Sequence, residues 1–599
     1  MPKFPVPKRH RSPTANASGI HALIQAAENK PPEEAIPVLQ KWLRSNPSNP
    51  QSAMVWIQLG GLFAKRIDYL GAADCFRKGV KGLPNLLMAR WNLALCLERA
   101  NLVDDAIEAW KQIIERIDLG KVEANDLTKA LNHLSLLYES KGQWAEASAP
   151  LHRSFGLDPS QDSVLYHLVR MRQRLCEWPI YKSLPGVSDQ RIFENTSALA
   201  MLAISDDPEQ QLAAAVRNAT RINDTHRPLR PTTPHNHPRI RIGYASSNFG
   251  MHPVSFLTAS LFELHDRERF EVYGFCWSPG ENTPIRRRVV EAFDHHIPLH
   301  HLSDAQAAEL IRKHEVDVLI DLQGLTAGAR PEIFAHRPAL LQISYLGHPG
   351  TCCVPGVDHL IADSTIVPAE LERHYQEKIL HMPVCFQVND LKRSVGGALS
   401  RADMGFPANA TLLAAHNNNN KITPEMFQAW IEILRRTSDT VLWMVVTNTT
   451  AERNLRQEAE AANVPMNRIM ITPHAGYERY LSSLAVSDLM LDTFPFNGGT
   501  TTSDALWMEL PVLTLQGRSF ASRMSSSLLN LHGIPELITT SIEDYVNKAV
   551  WLCSHLDELK QLKARLDRTA TLALYRQQIS DYEGLIEGVY KNCTKACVT

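Results

Sequence analysis

Residues 491–507 read LDTFPFNGGTTTSDALW. A short apolar run ends at Pro495, and Asn497-Gly498-Gly499 lead into Thr500, Thr501 and Thr502, after which Ser503-Asp504 open a segment with helical spacing. That order is a strand, a glycine-rich turn and a helix start. Glycines let the backbone approach a ligand, and hydroxyls with the free N–H groups of a first helical turn make an anion site. A diphosphate is the natural guest, and Asp504, one turn in, would suit a ribose hydroxyl. The bland alternative is a plain N-cap by one threonine, which a single threonine invites more than Gly-Gly-Thr-Thr-Thr does.

The surrounding chain has the pattern that such a motif requires. Strand-like runs occur at 411–417 (TLLAAHN), 441–446, 468–473, 489–493 and 511–515, with helix-like stretches such as 424–435 between them. An earlier series, 239–245, 270–277, 317–324 and 340–347, is spaced by segments such as 305–313. Strands separated by helices of this length imply parallel βαβ units. We expect two Rossmann-like lobes, 238–400 and 401–599 (the latter with the C-terminal helices), and a ligand cleft between them.

Two further positions border that cleft. In HNNNNKITPEMF (416–427), Lys421 follows a strand and precedes a helix start, where its ammonium could neutralise a diphosphate leaving group. His252, in SSNFGMHPVSFL, lies just past the first strand of the first lobe and has the chemistry of a general base. No Asp-x-Asp pair is placed to hold a metal; Asp488 and Asp492 flank a strand-like run, where structural roles are expected.

Upstream the chain repeats itself. Leu59, Gly60, Phe63, Ala72 and Phe76 recur 34 residues on as Leu93, Ala94, Leu97, Ala106 and Trp110, and again as Leu134, Ser135, Tyr138, Ala147 and Leu151; Ala35, Leu39 and Pro47 belong to a weaker copy. Large-small-aromatic on one helix and small-aromatic on the next is the tetratricopeptide pattern, so 19–165 reads as a helical repeat array, a surface for binding rather than chemistry. Residues 166–237 read as a helical connector, helical to about Arg221, ending in the proline-rich RPLRPTTPHNHP. Residues 1–18 read as a disordered basic tail.

Composition excludes several classes. Lys+Arg is 62 against Asp+Glu 64, so no global basic field argues for nucleic acid. No run of 18 apolar residues predicts a membrane span. The 10 cysteines are scattered without a Cys-x-x-Cys pair, which speaks for a reduced, cytoplasmic protein without a zinc finger.

Five ordered blocks, RIGYASSNFGMHPVSFL, GLTAGARPEIFAHRPALLQISYLGHPGT, NNNNKITPEMFQAW, LDTFPFNGGTTTSDALW and GRSFASRMSSSLL, resemble the protein O-GlcNAc transferase family (glycosyltransferase family 41) over nearly the whole chain, and its bacterial members most. The resemblance implies a tetratricopeptide array followed by a GT-B fold. It implies that Lys421 contacts the donor diphosphate, with Asn418 nearby. Thr500 and Thr501, with Thr502 in the same run, would hold the pyrophosphate, and Asp504 the ribose. Pro473, His474 and Ala475 would present backbone groups to uracil. His252, His295, Leu346 and Gly347 would lie near the sugar or acceptor. Two departures fall on the donor side: Gly499 and Tyr480 stand where the family's animal members have histidines.

These readings converge on an inverting, metal-independent transferase that moves a sugar, GlcNAc by resemblance, from a UDP-sugar to Ser/Thr of a polypeptide. No cofactor is expected beyond that co-substrate. The repeat array would help to bind an acceptor protein and could pair two copies as a homodimer. GDP-fucose-dependent O-fucosyl transfer and N-glucosyl transfer to asparagine stay open, as does a non-catalytic repeat scaffold.

Overall fold

The computed structural model describes residues 17–118, 124–222, 228–278 and 280–598, in two compact units, 1–171 with 183–189 and 172–182 with 190–599. The basic tail assigned to 1–18 lies, up to residue 16, outside the described residues, and a helix starts at Ala17.

The first unit is helical. Its central pairs are Ser52–Lys65 with Tyr69–Gly82, Leu87–Arg99 with Val103–Asp118, and Ala124–Ser140 with Trp144–Leu157. The repeat positions explain the pairing: Leu59, Ala72, Phe76, Ala94, Ala106, Trp110, Ser135, Ala147 and Leu151 are all buried. A methyl group at Gly60 would stand 3.1 Å from the Phe76 ring, and one at Gly79 only 2.5 Å from Ile57. Small residues therefore set how closely paired helices approach. Ser135, in a small-residue position, donates to the Ala147 carbonyl at 2.9 Å, so the one polar member of the pattern is satisfied across the pair.

Between the array and the first sheet, continuous helix is not what forms. Short helices at Asp189–Glu194 and Ala198–Met201 and a longer one at Pro208–Ala219 are separated by irregular chain. Pro179 and Pro185 fall in the gap after Cys176, where neither can continue a helix.

The second unit holds two parallel sheets. The first contains β1 (Ile240–Ser246), β2 (Phe270–Cys276), β3 (His295–Pro298), β4 (Val318–Asp321), β5 (Leu341–Ser344), β6 (His359–Asp363) and β7 (Lys378–Met382), in the order β3-β2-β1-β4-β5-β6-β7. The second contains β8 (Thr411–Ala415), β9 (Thr440–Val445), β10 (Ile469–Thr472), β11 (Leu489–Leu491), β12 (Val512–Leu515) and β13 (Ile538–Thr539), in the order β10-β9-β8-β11-β12-β13. Helices cover both faces, which is why strands such as β8 and β12 are buried throughout and apolar but for one threonine each. In each sheet the strand order reverses between the first and fourth strands, β1/β4 and β8/β11. Crevices at the carboxyl ends of strands open at such reversals.

The last helix, Arg568–Val598, departs from the expected division. Sequence pattern placed it with the second lobe, and Tyr575 near its start is buried in that lobe's core, but Ile579, Tyr582 and Ile586 are part of the first lobe's core. Its Glu583 accepts from His265 Nδ1 at 2.8 Å, and Gln578 donates to the Gln387 carbonyl at 2.8 Å. The helix returns because its apolar side completes the packing around Tyr244 and Tyr345. Among the described residues no helix is long and apolar enough to cross a membrane.

Replacing fully buried Tyr582 by alanine removes the ring that joins this helix to Tyr244 and Tyr345. The expected loss is about 3–5 kcal/mol, read as a lower urea midpoint with far-ultraviolet circular dichroism of the native protein unchanged.

Candidate functional site

The two reversals of strand order are where the candidate residues gather. In the second lobe, the loop after β8 carries Asn417 to Lys421 and the loop after β11 carries Asp492 to Gly499. Asp492 joins them. Its Oδ1 accepts from Asn417 Nδ2 at 2.8 Å, Thr493 N at 2.9 Å and Gly498 N at 2.8 Å, and its Oδ2 accepts from Thr514 on β12 at 2.8 Å. Burial raises this carboxyl, opposed by the hydroxyl and N–H donors around it and by Lys421. Asp488 likewise is engaged, accepting from Leu412 N at 2.7 Å and from Arg401 at 2.5 Å. Both aspartates are occupied by protein donors.

Lys421 ends a short turn, Asn419–Lys421, and is half-buried. Its Nζ donates to the Asn497 carbonyl at 2.7 Å and lies 3.7 Å from the centre of the Phe496 ring. Burial lowers the ammonium to about 8, partly offset by the Asp492 charge. The helix Thr500–Trp507 begins directly after this loop with no side-chain cap. Its first-turn N–H groups are thus left for whatever stands before it. A methyl group at Gly498 would meet Thr502 Oγ1 at 2.4 Å, so the turn requires glycine there. At Gly499 the nearest atom would be 3.4 Å away, and a side chain fits.

The structure separates the members of the threonine run. Thr500 and Thr501 are half-exposed at the helix start, whereas Thr502 is fully buried with its hydroxyl 2.8 Å from Ser525 Oγ. Thr502 does not face the crevice; it closes the turn. Asp504 is also buried: its Oδ1 accepts from Arg393 at 2.6 Å and Tyr477 at 2.8 Å. Burial raises the Asp504 carboxyl, opposed by Arg393 and Tyr477. Sequence reasoning offered this carboxylate to a ribose; here it is committed to an arginine from the segment that joins the lobes.

Arg393 and Tyr477 went unremarked in the sequence, since both lie in irregular or short-helix surroundings without periodicity. Arg393 also donates to Asn389 and to Ser503, at 2.8 and 2.7 Å. Tyr477 stacks on Phe256 of the first lobe, ring centres 4.0 Å apart and planes within 7°. The pair spans the cleft. The only available signal was the aromatic repeat GYERY at 476–480, whose Tyr480 drew notice for another reason.

In the first lobe, His252 caps the helix Pro253–Leu264, with Nδ1 accepting from Val254 N at 3.2 Å. That bond places the ring proton on Nε2, so that nitrogen offers a donor rather than a base. Burial lowers the imidazole to about 4, which keeps it neutral at pH 7. Across the β1/β4 reversal, Gln323 Oε1 accepts from Ser246 Oγ at 2.9 Å and Ser247 N at 3.0 Å, fixing the approach to His252. After β5, Leu346 takes φ 60° and packs against the cores of both lobes. A methyl group at Gly347 would stand 2.3 Å from the Leu322 carbonyl oxygen, so these two loops can meet only at glycine.

Other candidates lie further out. Pro473 and His474 are exposed and Ala475 half-buried after β10. Asn418 is exposed and accepts from Arg174 at 2.8 Å. His295 is not brought to the cleft. It is the first residue of the edge strand β3, with 46% of its side chain exposed and Nε2 2.8 Å from Glu271. The strand it starts, HHIP, is short and half polar, so the sequence carries no strand signal there.

The glycosyl transferase family 41 model matches residues 219–397 and 394–580, which covers both lobes and the segment joining them. The chain belongs to glycosyl transferase family 41. Among similar proteins, the probable UDP-N-acetylglucosamine–peptide N-acetylglucosaminyltransferase SEC of Arabidopsis thaliana is 35% identical over 335 residues, 55% of this chain and 34% of that protein. The UDP-N-acetylglucosamine–peptide N-acetylglucosaminyltransferase of Caenorhabditis elegans is 27% identical over 469 residues, 59% of this chain and 41% of that one. This chain thus spans about a third to two-fifths of the length of those relatives. The solved structure of a mutant of Thermobaculum terrenum O-GlcNAc transferase superposes with TM-score 0.62 and 23% identity, covering 98% of this chain and 99% of that one. It has the same fold, a helical array followed by two Rossmann-like lobes.

Arg393→Met would leave the Asp504 charge buried and unpaired, at an expected cost of about 3–5 kcal/mol near neutral pH. Protonating Asp504 removes the unpaired charge, so the deficit should shrink as pH falls toward 5. Urea unfolding at pH 8 and pH 5.5 reads both effects, and Asp504→Asn added to Arg393→Met should recover part of the loss.

Proposed function

We propose that this family 41 chain is an inverting glycosyltransferase that moves GlcNAc from UDP-GlcNAc to Ser/Thr hydroxyls of a polypeptide by single displacement, without a metal. The observation that carries the reading is the meeting, at the β8/β11 crevice, of the Lys421 ammonium with an uncapped helix start bearing Thr500 and Thr501. Both supply positive potential where a departing diphosphate gathers negative charge. A fixed ammonium and oriented N–H dipoles need no reorganisation as the bond to the anomeric carbon breaks, which is where transition-state stabilisation is gained.

The remaining roles follow from chemistry and position. The acceptor hydroxyl attacks the anomeric carbon on the face opposite the diphosphate, so catalysis rests largely on holding the two reactants in line. His252, with its proton on Nε2, would donate to the sugar or acceptor and orient it. Leu346 and Gly347 would shape the sugar pocket, and the backbone of Pro473, His474 and Ala475 would receive uracil. Asn418 would lie beside the phosphates. Asp504 would act through Arg393 and Tyr477, setting the floor on which the ribose rests. The helical array would present the acceptor protein. The names of the relatives support the choice of UDP-GlcNAc and peptide.

Calorimetric titration with UDP, GDP and UDP-GlcNAc tests the donor. UDP should bind, and Lys421→Ala should weaken it at least about tenfold. Preference for GDP would replace the donor with a guanine nucleotide sugar; no nucleotide binding would sink the proposal. Transfer should persist in excess EDTA.

The affinity for UDP should also depend on pH. Lys421 carries its charge below about 8 and loses it above, so UDP affinity should fall as pH rises from 7 to 9. Binding near pH 8 should take up protons, seen as a dependence of the heat on buffer ionisation. Phosphate titrates near pH 6 and stays out of that window.

A further inference from the structure

At the amino ends of β1 and β4, the end of the sheet remote from His252, a pair of histidines has no part in the chemistry above. His235 and His237 lie in the irregular proline-rich segment before β1, on one side of it. Their rings stack, centres 5.2 Å apart and planes within 24°. Glu315, just past the helix Asp304–Lys313, turns back toward them with φ 52°. Its Oε2 is 3.2 Å from His237 Nε2 and its Oε1 is 3.8 Å from His235 Nδ1.

Among the described residues, these three are the one grouping of His, Cys, Asp or Glu whose ligand atoms all approach within 4.8 Å of one another. Ligands at tetrahedral zinc bonds of about 2.0–2.2 Å stand about 3.3–3.6 Å apart, so the gap needs only small side-chain adjustments. The imidazoles are largely sheltered, with 14% and 12% of their side chains exposed, while Glu315 is half-exposed and leaves an entry path.

A further carboxylate orients the set. Asp317 Oδ2 lies 3.2 Å from His237 Nδ1, so a proton there donates to the carboxylate and leaves the Nε2 lone pair facing Glu315. Asp317 is itself held, by Arg241 N and the Tyr590 hydroxyl, each at 2.9 Å. A carboxylate behind a ligating histidine is what fixes the tautomer at metal sites. The ordinary reading, histidines satisfied by two acids, accounts for His237. For His235 it offers Arg312 on Nε2, but it gives Nδ1, turned to the same carboxylate as His237, no hydrogen bond, since that nitrogen stands 3.8 Å from Glu315.

We propose that His235, His237 and Glu315 bind a divalent transition-metal ion, with zinc the best match to two imidazoles and a carboxylate, as a staple fastening the proline-rich segment to the first lobe. The fourth position is left to water. Arg312 sets a cost. Its Nη1 lies 3.3 Å from His235 Nε2, and metal on Nδ1 puts the ring proton on Nε2, so that contact must open. The ion takes no part in sugar transfer, since the cleft lies at the other end of the strands.

The test uses the full chain stripped with a chelator, titrated with ZnCl2 and separately with MgCl2, with melting followed under each. Zinc should bind with one more equivalent per chain in the native protein than in His235→Ala/His237→Ala, and should raise the melting midpoint of the native protein only; magnesium should do neither. Cobalt(II) should give the visible absorption of a tetrahedral site, absent in the double variant. Arg312→Ala should bind zinc more tightly. Equal zinc uptake and equal midpoint shift in native and double-variant proteins would overturn the proposal, as would no uptake by the native protein. If the double variant does not fold, Glu315→Gln, on a half-exposed side chain, decides: a loss of about tenfold or more in zinc affinity supports the site, and unchanged affinity overturns it.

Discussion

The buried carboxylate of Asp492 is the constraint on which the candidate site depends. It accepts hydrogen bonds from Asn417, Thr493, Gly498 and Thr514, and so ties the loops after β8 and β11 to each other and to β12. An unsatisfied acid at this depth would cost several kcal/mol or be protonated. Satisfied four ways, it works as a fixed anchor. Lys421 then reaches the Asn497 carbonyl, and the helix at Thr500 starts at a defined place. The ammonium is drawn down by burial and held partly up by this same carboxylate. One acid thus shapes both the geometry and the charge of the crevice.

A second network works across the lobes. Arg393, from the joining segment, reaches Asp504 and Ser503 in the helix that begins at Thr500, and Tyr477 bridges from Asp504 to Phe256 of the first lobe. The helix start is thereby positioned from both ends, by the glycine turn in front and by the arginine behind. Buried ion pairs add little net stability against apolar replacements, yet breaking one side is costly. Their value here lies in geometry: the helix cannot rotate without uncovering a charge.

Much of this was legible in sequence, and the failures have physical causes. Alternating strands and helices of regular length disclosed both sheets, because parallel strands buried on two faces are nearly all apolar, as in TLLAA and VLTL. The strands that escaped were β3, β6, β7 and β13. HHIP, HLIAD, KILHM and the two-residue IT are short, and three of them mix polar residues into the run. In the site, Lys421 and Thr500-Thr501 were recognisable because a local strand–turn–helix motif announces them. Thr502 and Asp504 belong to the same motif but are turned inward, toward Ser525 and Arg393, and those partners are remote in sequence. Resemblance alone puts His295 near the sugar, and its strand HHIP, too short and polar to be read as one, gives no sign that it lies at the sheet's edge. Spacing reports which residues share a face; it does not report what that face meets.

The returning C-terminal helix has a consequence for how the chain is made. Ile579, Tyr582 and Ile586 fill the core around Tyr244 and Tyr345, so the first lobe, though its strands are synthesised early, is closed by residues made after every strand of the second sheet. Until then the first lobe lacks the side chains that pack on Tyr244 and Tyr345, and the second lobe lacks Tyr575 of the same helix, which is buried in its core beside Trp507. One helix thus seals both lobes, and neither core is complete before it is made. A fragment ending near residue 400 would keep every strand of the first sheet and still lack the side chains that seal it.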